Sequence, residues 1–507
     1  KSVATEGGGR PFITKWQGTK GKALELPIVG QYQLVIKDAR GQEVINEEVK
    51  IVNEEHPYLF TPPADGLYTV EAGPEGVEYM RMYEEEEFED EDDFEYDDDF
   101  EYADWMDEYR NEALREVVQF GTVKWRSMRR AFHRYTEMTF APDIDTPDLS
   151  QVTDMSRMFA GCTAFNQPLD KWNVANVTDM SGMFKGCSAF NQSLETWNVA
   201  NVVNMDSMFL KCSAFNQPLE GWNVGKVRNM GFMFSGCSSF NQPLEGWNVG
   251  QVTNMCGMFN ECHSFNQPLE GWNVGQVTNM CGMFNKCDAF NQLLEGWNVG
   301  QVTNMRMMFF DCSAFNQPLD AWNVENVEDM GCMFFGCSSF NQPLEGWNVE
   351  QVTDMSKIFS GCSSFNQPLE AWNVENVEGM SGMFSGCSAF NQPLGGWNVG
   401  NVNDMSDMFE GCRAFNQPLE AWNVGNVNDM SGMFSGCSVF NQPLEKWDVS
   451  YVAYMSGMFE GCRAFNQSLE AWNISNLCKD AAKDIFTNCP AGALPFAQEW
   501  REKGYEF

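Results

Sequence analysis

Phe165-Asn166-Gln167-Pro168-Leu169 leads through Asp170 and Lys171 to Trp172-Asn173-Val174, and the same pattern returns at Phe190-Asn191-Gln192 and Trp197-Asn198-Val199. The tryptophan column runs at one constant step from Trp172 through Trp197 and Trp222 to Trp472 without an insertion, and it takes up all but four of the tryptophans in the chain. Cysteine from Cys162 to Cys462, Phe159 to Phe459, Phe165 to Phe465, Asn166 to Asn466 and Gln167 to Gln467 keep the same step. Fixed self-similarity over this period is the mark of a stacked-repeat architecture.

Working outward from that stretch, one unit reads Val152, Met155, Met158-Phe159, Cys162, Phe165, Leu169, Trp172, Val174 and Val177. Apolar residues from Met155 to Cys162 are spaced by three and four, which predicts a short helical turn with one buried stripe. Leu169, Trp172, Val174 and Val177 follow the spacing L-x-x-L-x-L-x-x-L, and Trp172 and Val174 alternate about Asn173 as in a three-residue strand. Pro168 limits that strand backwards. The expectation is therefore an α+β repeat: a leucine-rich-repeat-like solenoid of thirteen 25-residue coils over 152–476. One coil is too small to fold alone, so stacking must supply its stability.

Both ends carry modified units that cap the stack. Trp125, Met128, Phe132 and Tyr135 repeat the spacing of Val152, Met155, Phe159 and Cys162, giving an N-terminal cap and first degenerate coil over 110–151. After Ile474 and Leu477, the residues Ala482, Phe486 and Cys489 arrive two positions late, within a C-terminal cap over 477–507. Residues 1–83 do not repeat. Tyr32, Leu34 and Ile36 alternate, Asp38 to Gly41 is a turn signal, Val44, Ile45, Val49, Ile51 and Val52 supply further strand, and Asp65-Gly66 turns into a strand reaching Val70. These runs predict a small antiparallel β-sandwich of six or seven strands.

The chain has 71 Asp+Glu against 32 Lys+Arg, a net charge of −39, which excludes a general nucleic-acid binder. No run of apolar residues is long enough to cross a membrane as a helix. The chain begins at Lys1 rather than Met, and the expectation is that an upstream segment, a signal peptide being one candidate, has been removed. An insertion at 84–109 is acidic and aromatic-rich: residues 84–108 hold 17 acids, no Lys or Arg, and Phe88, Phe94, Tyr96, Phe100, Tyr102 and Trp105. It reads as a solvated, self-repelling connection, or alternatively as a clamp for a basic partner or Ca²⁺. Asp97, Asp98 and Asp99 are the Ca²⁺ candidates, and no other cofactor is expected.

The motif from Phe165-Asn166-Gln167-Pro168-Leu169 through Trp172-Asn173-Val174, Val177, Met180, Met183-Phe184 and Cys187 resembles a known bacterial surface repeat of the same period. That family was first catalogued as a domain of unknown function in mycoplasma lipoproteins and is related to the BspA-type leucine-rich repeats of surface adhesins. Phe12 to Trp16, Gly66 to Val70 and Trp125 to Met128 sit where those proteins place a PKD-like sandwich and the first cap. Where many relatives carry a Trp-Gly-Asp-Gly turn, this chain has Ile36 to Gly41, and the acidic insertion lies outside the family pattern. The resemblance implies a secreted or cell-surface protein used in adhesion or host contact, without catalytic residues.

Chemistry and packing compete for several columns. The thiols stand at helical spacing on the apolar stripe, which favours buried free cysteines. Cys256 with Cys281, and Cys478 with Cys489, are the nearest candidates for bridges. The Met155 and Met158 columns and the Trp column read as core rather than as soft-metal ligands or a stacking platform. Asn166 and its equivalents suit an amide ladder bonding the backbone of the next coil. Sequons at Asn176, Asn191, Asn466 and Asn473 are by-products of repeat positions.

Two columns read as exposed. Asp170, Glu195, Glu220, Glu245, Glu270 and Glu295 open an acidic line broken only at Gly395, and Asn173, Asn198 and Asn223 open an amide line. Both are candidate partner-binding rows. No nucleophile–base set or phosphate loop stands outside the repeat positions, so no enzymatic activity is expected. The expected function is adhesion or recognition of a protein or glycan on a cell surface, without membrane insertion. The alternative is a structural subunit of a surface filament, sheath or other assembly, with further copies of itself as partner.

Overall fold

A computed structural model describes residues 8–82 and 110–507 of the chain. The acidic insertion and the Ca²⁺ candidates Asp97, Asp98 and Asp99 lie outside the described residues. Two compact units divide the molecule, residues 1–242 and 243–507.

The first unit opens with antiparallel strands whose burial alternates with period two. In β1 (Phe12–Gly18), Phe12, Thr14 and Trp16 are buried, and the Trp16 indole N–H donates to Thr14 Oγ1 at 2.8 Å. Further strands follow: β2 (Leu24–Leu26), β3 (Ile28–Lys37), β4 (Glu43–Ile51), β5 (Tyr58–Phe60), β6 (Gly66–Ala72), β7 (Val77–Met80), β8 (Leu114–Gln119) and β9 (Thr139–Phe140). The larger sheet runs β4-β3-β6-β1-β8-β9 with β7 also on β3, and β2 pairs with β5 in a second, two-stranded sheet. The expected turn at Asp38 is present, its carboxylate accepting the amides of Arg40 and Gln42 at 2.9 and 3.0 Å. Those bonds hold the Asp38 carboxyl below the usual carboxylate range. Strands on both sides of the acidic insertion share one sheet, because β8 pairs antiparallel with β1.

Within each unit the successive repeats are joined neighbour to neighbour. In the first, Met155, Arg157, Phe159 and Gly161 donate their amides to Asp179, Ser181, Met183 and Lys185 one coil on. Parallel bridges link Asp154 to Asp179 and Asp179 to Asn204, and in the second unit Asn254 to Asn279 and onward. Between these bonds the chain makes successive turns, Met158 donating to Met155, Ala160 to Arg157 and Cys162 to Phe159.

This arrangement corrects the α+β expectation. No helix forms from Met155 to Cys162, and the one α-helix among the described residues is α1 (Pro495–Glu502) in the C-terminal cap. The reason lies in the backbone. The positions of Arg157 and Gly161 have positive φ, 53° and 76° here, which interrupts any run of right-handed helical residues. Alternate amides then turn to the neighbouring coil. Trp172 to Val174 is likewise no strand, because the amides of Trp172 and Val177 bond locally to Leu169 and Val174. The sheet-like contact between coils runs through the methionine–phenylalanine segment instead.

The core consists of the predicted columns. Met155, Met158, Phe159, Cys162 and Phe165 are fully buried, and Trp172 is 6% exposed. Phe184 lies on Phe190 at 4.3 Å between ring centres and on Phe209 of the next coil at 5.6 Å. In the second unit Trp322 stacks parallel on Trp347 at 6.4 Å. The cap offsets follow the sequence: Phe132 stacks on Phe159 and Phe459 on Phe486.

The Gly161 position is glycine in most coils, while Lys211, Glu261, Lys286 and Asp311 hold φ between 54° and 59° there. A side chain in that conformation costs about 1–2 kcal/mol. Asp311→Gly is expected to raise stability by about 1 kcal/mol. Gly361→Ala is expected to lower it by at least as much, because its Cβ would also stand 3.3 Å from the Gly336 backbone. Urea denaturation midpoints of the two variants check both signs.

Candidate functional site

The proposed binding rows are built on the tryptophan segment of each coil, separate in sequence from the bonded methionine–phenylalanine segment. Trp172 turns inward and leaves Asp170 and Asn173 outward, both exposed, and Glu195, Glu220, Asn198 and Asn223 repeat this in the first unit. Glu245, Glu270 and Glu295 are exposed in the second. The structure therefore brings the expected residues into two parallel rows within each unit.

Each row has its own cause. The glutamates lie along the stack over a small residue of the next coil: a Cβ at Gly271 would stand 3.6 Å from Glu245 Cγ, and one at Gly296 3.7 Å from Glu270 Cγ. Where that residue is Lys446, its ammonium pairs with Glu420 at 3.3 Å. The asparagines use their carbonyl oxygens locally, the amides of Ala175, Ala200 and Gly225 donating to Oδ1 of Asn173, Asn198 and Asn223 at 3.1–3.2 Å. This Asx turn spends the acceptor and directs the side-chain NH₂ toward solvent or a neighbour. Asn323 Nδ2, for example, donates to Glu325 at 3.0 Å. The face thus offers a row of carboxylate acceptors beside a row of amide donors.

The tryptophan between the rows is engaged within the core. Its indole N–H donates to the leucine carbonyl of the preceding coil, as from Trp197 to Leu169 and from Trp322 to Leu294, both at 2.9 Å. The cysteines do the same with phenylalanine carbonyls: Cys187 Sγ lies 3.0 Å from Phe159 O and Cys337 Sγ 2.9 Å from Phe309 O. Burial raises these thiols well above their usual pKa, so thiolate chemistry is suppressed. All 18 cysteines are free, including the bridge candidates Cys256, Cys281, Cys478 and Cys489. The amide ladder forms as read from the sequence, Asn166 Oδ1 accepting the Asn191 amide at 2.9 Å and Gln192 Nε2 at 3.1 Å.

The bonded segment carries chemistry that the column analysis missed. Arg157, Lys185 and Lys211 stand there in the first unit, each in a different repeat position, so no column of like residues announces them. In the second unit Arg306 reaches Asp354 at 3.3 Å and Asp329 at 4.0 Å, yet burial still holds Asp329 above the usual carboxylate range. Further along, burial and then Glu410, Asp429 and Asp404 raise the Asp407 carboxyl. Among the described residues no group of three or more His, Cys, Asp or Glu is placed to hold a metal ion. No helix of the described residues is long and apolar enough to cross a membrane.

A family model described as "Mycoplasma protein of unknown function, DUF285" matches residues 126–247, 229–342, 316–415 and 380–500. The chain belongs to this family. Four overlapping matches along the repeats fit the tandem construction, and leave β1 to β8 outside the matched region. No curated protein matches the chain.

For Asp407 the folded-state pKa lies above the unfolded one, so the folded protein binds the proton more tightly. Its charge opposes folding above that pKa, and the penalty fades as pH falls. Asp407→Asn is therefore expected to raise the melting temperature at pH 7 and to leave it unchanged near pH 3, below both carboxyl pKa values. Differential scanning calorimetry at the two pH values measures the difference.

Proposed function

We propose that this family member is a non-enzymatic recognition protein, secreted or held at a cell surface, that binds a repetitive protein or glycan through the carboxylate and amide rows. The observation that carries the reading is the pairing of two exposed rows of opposite hydrogen-bonding character, repeated at one step in each unit. Sugar hydroxyls and peptide groups both donate and accept, and so suit such a face. Nearly identical sites give weak individual contacts that sum through multivalency on a partner with its own repeat. In this reading the coils are those of a leucine-rich-repeat-like solenoid of the BspA-related kind, and the N-terminal strands are a PKD-like module. The absence of enzymatic activity belongs to the proposal, supported by thiols that are buried and bonded to carbonyls.

Retention of the intact chain on glycan arrays and on immobilised cell-surface extracts tests this. Specific retention is expected. Glu245→Gln, Glu270→Gln and Glu295→Gln together should weaken it roughly tenfold, while any one alone changes it less than about twofold. A chain that is not retained by any surface, yet grows into large particles by light scattering, would overturn the proposal in favour of a structural subunit.

A further inference from the structure

Near its C-terminal end the repeat is broken at two polar positions, and each break brings a tyrosine to the surface. Tyr451 stands where other coils have Asn401 and Asn426, and Tyr454 where they have Asn304, Asp404 and Asp429. The replaced side chains serve the backbone. Asn401 and Asn426 donate Nδ2 to the carbonyls of Glu375 and Gly400, both at 2.6 Å. Asn304, Asp404 and Asp429 accept the amides of Arg306, Ser406 and Ser431 through Oδ1 at 2.8–2.9 Å. A phenol hydroxyl stands too far from its own backbone to make either bond, so both are given up here. Burial does not offset the loss, because Tyr451 is 56% exposed and Tyr454 45%.

We propose that Tyr451 and Tyr454 are the ring-stacking residues of a site for a neutral pyranose unit, so that the ligand of the recognition face is a glycan. This rests on the recognition role proposed above and narrows its partner. A pyranose has a face of C–H groups and a rim of hydroxyls. The face needs a flat amphipathic ring, which a phenol offers and the core-bound indoles do not. The rim needs acceptors. Asn428 and Asn476 both spend Nδ2 on the Tyr451 carbonyl, at 3.4 and 2.9 Å, and no described residue donates to their side-chain oxygens. Those two oxygens flank the Tyr451 backbone as acceptors for sugar hydroxyls. The anchor of a protein interface lies in a closely packed, desolvated pocket. These tyrosines stand instead among exposed polar side chains, Asn426, Asp448, Ser450 and Asn476. Asp429, the bridge partner of Tyr454, and the nearby Asp448 disfavour an anionic sugar. The site also continues the amide row, since Tyr451 follows Asp448 by three residues.

Retention of the intact chain on an array of neutral hexose and N-acetylhexosamine oligosaccharides tests the site. The double variant Tyr451→Asn/Tyr454→Asn restores residues that other coils carry and leaves the charge unchanged. Its melting temperature should rise as the backbone bonds return, while its retention falls roughly tenfold. Tyr451→Phe/Tyr454→Phe keeps the rings and should stay within about threefold of the parent. Retention that Glu245→Gln/Glu270→Gln/Glu295→Gln lowers and Tyr451→Asn/Tyr454→Asn does not would sink this site and leave the wider recognition role standing. An asparagine variant that melts lower as it loses retention would make the rings structural and refute the proposal. So would a parent chain retained by protein ligands alone, or one displaced from the array by choline and not by a free neutral oligosaccharide.

Discussion

The structure depends on side chains of one coil satisfying the backbone of the preceding coil. These repeats contain neither helix nor extended strand, and core-facing carbonyls such as Leu169 O and Phe159 O accept one local amide, from Trp172 and Cys162. A carbonyl oxygen has a second lone pair to fill. The indole N–H of Trp197 on Leu169 O and the thiol of Cys187 on Phe159 O add that second donor from the next coil, and so tie one coil to the other. Asn166 Oδ1 performs the complementary task for the Asn191 amide. This explains why three residue types of unlike character recur together. It also explains the unbroken repeat step: one inserted residue would displace a donor from its acceptor in the same coil that it pushed out of stacking register.

Much of this was legible because the repeat makes each column an average over many coils. Burial of Trp172, Cys162 and Met155, the amide ladder of Asn166 and the two-residue offset of Phe486 all follow from spacing and residue type. The class of secondary structure did not. Apolar residues three and four apart fit a helical stripe, but successive turns place them on one side equally well, and periodicity alone does not separate the two. The deciding signal was the glycine column from Gly161 to Gly461, with a second at Gly182, Gly257 and Gly282. Two recurring left-handed positions so close together leave no room for a helical run. The outward rows of Asp170 and Asn173 could be read because nothing apolar ever replaces them. That Asn173 spends its oxygen on the Ala175 amide could not, since it depends on local backbone geometry. The cations Arg157, Lys185 and Lys211 were hidden by their scatter over three different repeat positions.

The two faces of the coils answer to different demands. On the bonded face, variation is tolerated because the backbone does the joining: Arg157, Gly182, Ser207, Phe232 and Met307 occupy equivalent positions with φ between 52° and 58°. Several of them bear backbone strain, and Asp407 adds electrostatic strain. On the other face, Asn173 and its equivalents give way only to Asp448, and the carboxylate row only to Gly395. The Asx turn accounts for an oxygen acceptor at the first, since Asp448 takes the Ser450 amide in the same manner at 3.0 Å. It does not account for the amide nitrogen.

The carboxylate row is harder to explain by packing. Glu245 touches the next coil through its methylenes, but glutamine would make that contact equally well without like charges repeating every few ångströms. Repulsion along an exposed row is weak in water at physiological salt, so it alters stability little, yet it sets the field met by an approaching surface. The cost is small for folding and the consequence is large for encounter. A uniform row therefore bears on the field that the face presents more than on how the coil folds.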